Sequence, residues 1–288
     1  MLLPNLVTLR YPTTAELGPE DILSNTLSSL YPDDLVIQHG DDQDTLVVYH
    51  NRAHGHLEFH TADVNGEEQR RKFAHYVWNA SVLMGELIGG KKGEQRLEKN
   101  WRIDGETVLE LGAGAGLAGI VSLLSGAKEV TFTDYPAPPI IETIRKNVAK
   151  NVPDHLKANI SVEGHQWGEL DGPFAMANAH KYTRILAADC LWMPWEHETL
   201  ARSMLHFLSD SPDARIFCIA GFHTGRAKMA PFYEEVVPSA GLEVEEIYEM
   251  DARGRRRSWK RERDGGNENV GERKKWLSVA RLRRAVRQ

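Results

Sequence analysis

Two rhythms run along the chain. From about residue 106, apolar runs of strand length alternate with stretches whose apolar residues recur at helical spacing. The runs are TVLELG from Thr107, EVTFTD from Glu129, ISVEGHQW from Ile160, TRILAAD from Thr183 and ARIFCIAG from Ala214. Helices are expected between them over 116–125, 138–151, 196–209 and 227–239. Runs this continuously apolar belong to strands covered on both faces, and helical connections make neighbouring strands parallel. The last two strand-like segments, 242–250 and 275–283, have only a polar, Gly-containing connection between them. They predict an antiparallel hairpin at the sheet. The expected fold is therefore α/β, five parallel strands plus a C-terminal antiparallel hairpin, with helices on both faces.

Before residue 106 the pattern is less regular. Residues 1–43 read as an arm with one short helix near 20–30. Thr45–Tyr49 and His56–His60 read as two strands around a turn containing Gly55, an N-terminal β-hairpin extension. Over 71–89 the apolar residues Phe73, Val77, Trp78, Val82, Leu83 and Leu87 follow helical spacing, which predicts one helix closed by the glycines and lysines of 89–93.

The Gly-rich turn carries the chemistry. VLELGAGAG runs from Val108 to Gly116, with glycines at 112, 114 and 116. A strand that turns directly into a helix needs residues without a Cβ, and the helix then presents free N–H groups to a ligand. Asp134, 22 residues after Gly112, ends the second strand. A carboxylate there can accept hydrogen bonds from both hydroxyls of a ribose. Gly114, Gly116 and Gly119 also fit the dinucleotide pattern G-x-G-x-x-G. Against that reading, Glu110 would direct negative charge at a pyrophosphate, and the remaining strands fit a sheet with a terminal hairpin.

These residues, with TDYP at 133–136, QWG at 166–168 and AADCLW at 187–192, resemble the family-16 protein methyltransferases over roughly 70–285. Within them the likeness is greatest to a fungal branch described either as nicotinamide N-methyltransferase-like or as acting on the N-terminus and adjacent lysine of translation elongation factor 1-alpha. The resemblance implies a Rossmann-like, seven-stranded sheet, S-adenosylmethionine as cofactor and S-adenosylhomocysteine as product. It implies an arm over 1–65 and a methyltransferase domain over 66–288. It places Trp78, Glu110, Gly112, Gly114, Gly116, Asp134, Tyr135, Trp167 and Ala188 around the cofactor, with Ala187 beside them. Glu110 would organise the loop and face the methionine ammonium. Asp189 and Trp192 would stand at the transfer site. Position 192 departs from the family, which usually has Tyr or Phe there; an aromatic wall remains, without a phenol hydroxyl. The acceptor stays open between a protein amine and a small pyridine, and a non-catalytic binding module is the third reading.

Charge and composition narrow this little further. The net charge is −6, but residues 253–288 hold 14 Lys/Arg against 4 Asp/Glu, a balance of +10 that leaves −16 on residues 1–252. Most of the surface would repel nucleic acid. The run RGRRRSWKRER from Arg253 reads as a solvated, mobile hairpin loop able at most to make a local contact. The thiols Cys190 and Cys218 lie in apolar stretches without a CxxC pair, which suits reduced core thiols in a cytosolic or nuclear setting. His50, His54, His56 and His60 lack zinc-site spacing, so no metal is expected. His223, after the fifth strand, falls at the ligand-binding edge of such a sheet. No apolar run approaches membrane length, and a monomer is expected.

Overall fold

The computed structural model describes residues 3–12, 36–40, 44–62, 76–89 and 100–286. The helix expected near 20–30, Phe73 and the linker at 90–93 lie outside them. β1 (Val7–Arg10) heads the chain, and β2 (Gln38–His39) follows. The expected hairpin is β3 (Leu46–Asn51) and β4 (Gly55–Phe59), and β1 adds to it in the order β1-β3-β4. Tyr49 and Phe59 are fully buried in the same core cluster as Val108 and Phe132 of the main sheet.

The segment predicted as one helix over 71–89 divides. Val77–Trp78 form a short strand, β5, paired with β2, and the helix α1 covers only Asn79–Ile88. Trp78 therefore precedes the helix instead of lying on it. The cause is a partner 40 residues away: the Asn79 N–H donates to Ile37 O (3.0 Å), and its side chain bonds Val36 O and His39 (both 2.8 Å). The first of these satisfies the N–H at the start of α1, and the other two tie the Asn79 side chain to the β2 segment.

The remaining elements follow in chain order: β6 (Thr107–Leu111), α2 (Leu117–Leu124), β7 (Glu129–Asp134), α3 (Pro138–Asn151), β8 (Ile160–Gly164) and α4 (Pro173–Ala177). Then come β9 (Arg184–Ala188), α5 (His197–Phe207), β10 (Arg215–Gly221), α6 (Arg226–Pro231), β11 (Leu242–Asp251), β12 (Arg256–Ser258), α7 (Val270–Lys274) and β13 (Trp276–Arg284). Among the described residues, eight strands form the main sheet in the order β12-β11-β13-β10-β9-β6-β7-β8. β10, β9, β6, β7 and β8 run parallel, while β13 enters antiparallel between β10 and β11. The short β12, on the edge, is a strand the periodicity did not predict.

Alternation along each strand explains the two cores. Val108, Leu186, Phe217 and Ile219 point to the face covered by α1, α2 and α3. Their neighbours Leu109, Ile185, Ala187, Ile216 and Cys218 point to the face covered by α5 and α6. Successive side chains of a strand point oppositely, so an unbroken apolar run fills both layers. β6 and β9 are adjacent, yet the chain leaves β6 towards β7 and returns to β9. Their carboxyl ends flank the switch point where ligands bind in open α/β sheets.

The basic stretch is exposed over much of its length, as expected of a solvated loop, but several of its arginines are paired. Arg257 and Arg263 fold back on the fully buried Glu249 at 2.7 and 3.1 Å, joined by Arg226 at 2.7 Å, while Glu268 binds Arg226 and Arg257. Arg255 pairs with Asp251, and Arg261 with Glu234 and Glu235. Carboxylates on β11 and the β12–α7 connection neutralise arginines that a linear reading leaves unpaired.

Candidate functional site

At the end of β6 the chain reverses through Gly112 (φ +64) and Gly114 (φ +56). Gly112 also has no room for a side chain. A Cβ there would stand 2.9 Å from Cys190 Sγ and 3.1 Å from the Trp167 ring. Gly114 is the opposite case: nothing lies within 4 Å of where its Cβ would be. Protein packing leaves the space above Gly114 open, and a side chain would fill it.

The acid at the tip of β7 ties the turn in place. Asp134 Oδ2 accepts the Gly114 N–H at 2.7 Å, and Oδ1 accepts the Tyr135 N–H at 2.7 Å. Two such bonds, one to each oxygen, fix the plane of the carboxylate, which is half-exposed. Glu110 lies deeper, only 1% exposed. Its Oε2 accepts the Gly119 N–H at 2.9 Å in the first turn of α2, where a negative charge complements the helix dipole. Burial nevertheless pushes its carboxyl up to about 8, against that hydrogen bond and with a further push from the charge of Asp134.

These groups border one cleft of about 990 Å³, counting the open solvent at its mouth. Of the residues expected around the cofactor, Trp78, Glu110, Gly112, Gly114, Asp134, Tyr135, Trp167 and Ala188 line it, as do Asp189 and Trp192. Gly116 and Ala187 do not. Gly116 (φ +77) is the N-cap of α2 and faces the Phe132 ring, and Ala187 points into the lower core layer. Cys190, expected in the core, is buried but also lines the cleft; its Sγ donates to Leu111 O at 3.2 Å, and burial holds the thiol well above its ordinary pKa. The sequence reading missed Tyr76, Ser81, His165 and Glu196, to which no motif assigns a role. It also missed Asn147, fully buried on α3. Asn147 bonds the His60 N–H and carbonyl and the Ala115 carbonyl at 2.8–2.9 Å, joining the hairpin to the Gly turn.

Asp189 has a left-handed backbone (φ +60), rare outside glycine. Its Oδ1 accepts the Gly221 N–H at 2.9 Å, and both oxygens lie 2.9–3.0 Å from His223 Nε2. The sequence placed His223 at this edge without linking it to Asp189. Burial alone would lower the imidazole, but the charge and hydrogen bond of Asp189 outweigh it, and the His223 pKa is raised. His223 also meets the Trp78 ring edge-on, centroids 4.8 Å apart.

A protein-family model described as lysine methyltransferase matches residues 60–235, more than half of the chain. The chain belongs to this family. Among its relatives, the protein N-terminal and lysine N-methyltransferase efm7 of Schizosaccharomyces pombe is 30% identical over 182 residues, 62% of this chain and 68% of that protein. The EFM7 protein of Yarrowia lipolytica is 27% identical over 197 residues, again 62% and 68% of the two chains. That of Cryptococcus neoformans var. neoformans strain B-3501A is 30% identical over 141 residues, which span 48% of this chain and 44% of the relative. A solved structure described as an inferred methyltransferase complexed with SAH superposes with TM-score 0.55 at 13% identity, covering 91% of this chain and 65% of that one. At that identity the superposition speaks for the fold, a Rossmann-like methyltransferase sheet. The methyltransferase is thus an enzyme by family, with its cleft at the switch point.

Proposed function

We propose that the methyltransferase uses S-adenosylmethionine to methylate the nitrogen of a protein amine, a lysine side chain or an N-terminus. The observation that carries the reading is the pairing of Asp134 with Gly114: a carboxylate held by backbone N–H groups faces a turn stripped of side chains. That donor set fits a nucleoside better than a dinucleotide, because two carboxylates, Asp134 and Glu110, border the space a pyrophosphate would need. Asp134 would hold the ribose hydroxyls. Glu110, raised by burial, regains its charge most readily beside an ammonium such as that of the methionine moiety. Trp78 and Trp167 would cover the purine side of the cleft. The cofactor supplies a methyl carbon already activated on a sulfonium, so the protein's part is to align a nitrogen lone pair and exclude water.

A lysine ammonium has an unperturbed pKa of about 10.4 and must lose a proton before it can attack. The aromatic wall of Tyr76, Trp78 and Trp192 disfavours the cation by desolvation. Trp192 has no hydroxyl, so the wall offers shape and a ring face instead of a phenol. The names of the relatives in Schizosaccharomyces pombe, Cryptococcus neoformans and Yarrowia lipolytica support the amine as acceptor class, and translation elongation factor 1-alpha is the first candidate substrate. The test is to incubate pure protein and methyl-labelled S-adenosylmethionine with a cell lysate and, separately, with nicotinamide. Label should enter a protein band. Label in nicotinamide alone would overturn the acceptor assignment.

A further inference from the structure

Asp189 lines the cleft, but the group that grips both of its carboxylate oxygens lies behind it. We propose that His223 is a positioning residue for methyl transfer: its imidazole clamps the Asp189 carboxylate in the orientation that meets the acceptor amine. The inference rests on the amine-methyltransferase reading and deepens it.

Three observations carry it. First, the terminal torsion of an aspartate is broad and soft, so the Gly221 N–H on Oδ1 at 2.9 Å leaves Oδ2 able to swing. His223 Nε2 stands 3.0 Å from Oδ1 and 2.9 Å from Oδ2, bridging both oxygens and removing that freedom. A carboxylate only accepts, so Nε2 carries the hydrogen. Second, the fold makes room for this ring. A Cβ on Gly221 would stand 2.5 Å from His223 Nε2. Gly221 is not among the glycines of positive φ, so space rather than backbone conformation calls for glycine at the end of β10. The same residue thus donates to Asp189 and admits the imidazole beside it. Third, the carboxylate stands between the ring and the cleft. Asp189 lines the cleft and a second, smaller cavity behind it, and among the described residues His223 lines only the second. The imidazole therefore acts on an acceptor through Asp189.

Methyl transfer depends on alignment, because the nitrogen lone pair must lie in line with the S–CH₃ bond. A carboxylate held in one plane can accept an N–H of the amine and direct that lone pair, whereas a rotating one loses the direction. Misplacement by about 1 Å can cost about 10²-fold in rate. No proton passes through the ring, and its share is geometric. Trp78 lines the cleft and meets the imidazole edge-on, so the clamp is itself braced from the β5 side.

The test measures methyl transfer from labelled S-adenosylmethionine to lysate proteins by wild type, His223→Ala, His223→Phe, His223→Gln and Gly221→Ala. The KM for S-adenosylmethionine and the calorimetric affinity for S-adenosylhomocysteine are measured for each. His223→Phe keeps the bulk of a ring and no donor, while His223→Gln keeps a donor at the place of Nε2 and no ring. We expect His223→Ala and His223→Phe to lower kcat by about 10- to 10²-fold, the loss of a hydrogen bond to a charged group. The KM for S-adenosylmethionine and the product affinity should be unchanged. His223→Gln should recover most of the loss. Gly221→Ala keeps the imidazole but displaces it, and should fall with His223→Ala. If His223→Phe is as fast as wild type, or His223→Gln as slow as His223→Ala, the ring only packs and the inference is overturned. A product affinity that falls in step with the rate would overturn it too, by assigning the ring to the cofactor wall through Trp78. A wild type that binds S-adenosylhomocysteine yet labels no lysate protein would instead sink the amine reading on which it stands.

Discussion

Two groups of charge among the described residues, one at the C-terminal hairpin and one at the cleft, are built oppositely. At the C-terminal hairpin, Glu249 and Glu268 are saturated by Arg226, Arg257 and Arg263 side chains. At the cleft, Asp134 accepts the backbone N–H groups of Gly114 and Tyr135 and Glu110 that of Gly119, while Asp189 is held by one backbone N–H and His223. The first cluster closes on itself and fastens β11, β12 and α6 together. The second fixes its carboxylates in the lining of the cleft. Buried acids neutralised by arginine are architecture, whereas buried acids anchored by the backbone and facing a cavity await a cation or a hydroxyl.

Removing a charge tests each side of that contrast. Glu249→Ala leaves three arginines around a vacated buried site and should destabilise the fold by about 3–5 kcal/mol, read from chemical denaturation. A loss within that of an exposed ion pair would mean that the network is solvated after all. Gly119→Ala is next: its Cβ would stand 2.3 Å from the Phe132 ring and 2.6 Å from Glu110 Oε2. The overpacking should cost about 1–3 kcal/mol, with cofactor affinity falling alongside because Glu110 must move.

Glu110→Gln sharpens the comparison through pH. The Glu110 carboxyl has a folded pKa of about 8 against about 4.3 in an unfolded chain. The folded protein thus retains a proton the unfolded chain has released. Its contribution to stability is complete below the unfolded value and is lost as pH rises towards and through about 8. The Gln variant does not titrate, so its melting temperature should gain on wild type from pH 5 to 8 and then hold level, while its cofactor affinity drops. A constant difference across that range would show that the carboxylate is ionised throughout. Arg261→Ala should do least, within about 0.5 kcal/mol, because its partners Glu234 and Glu235 are exposed.

The parallel strands and the Gly turn were legible because both are local: an apolar run fills two layers, and glycines mark where a backbone reverses. Asp134 was legible for the same reason, its place set by strand length alone. What escaped depends on partners distant in sequence. The start of α1 at Asn79 is decided by residues 36–39, the His223–Asp189 contact joins two strand ends 34 residues apart, and Asn147 reaches across 87 residues to His60. The pairing of the basic run escaped because Glu249, Glu268 and Arg226, which draw its arginines in, give no pattern that a linear reading can detect. Gly116 shows the converse: a glycine inside the motif that serves the helix cap and the packing against Phe132 instead of bordering the cleft.

The most direct measurement is calorimetric titration of S-adenosylhomocysteine into wild type and Asp134→Ala. The wild type should bind one equivalent, and the variant should lose about 10²-fold or more in affinity, as expected for two hydrogen bonds to a charged acceptor. Equal affinity in the two proteins, or no binding by either, would contradict the account of the cleft.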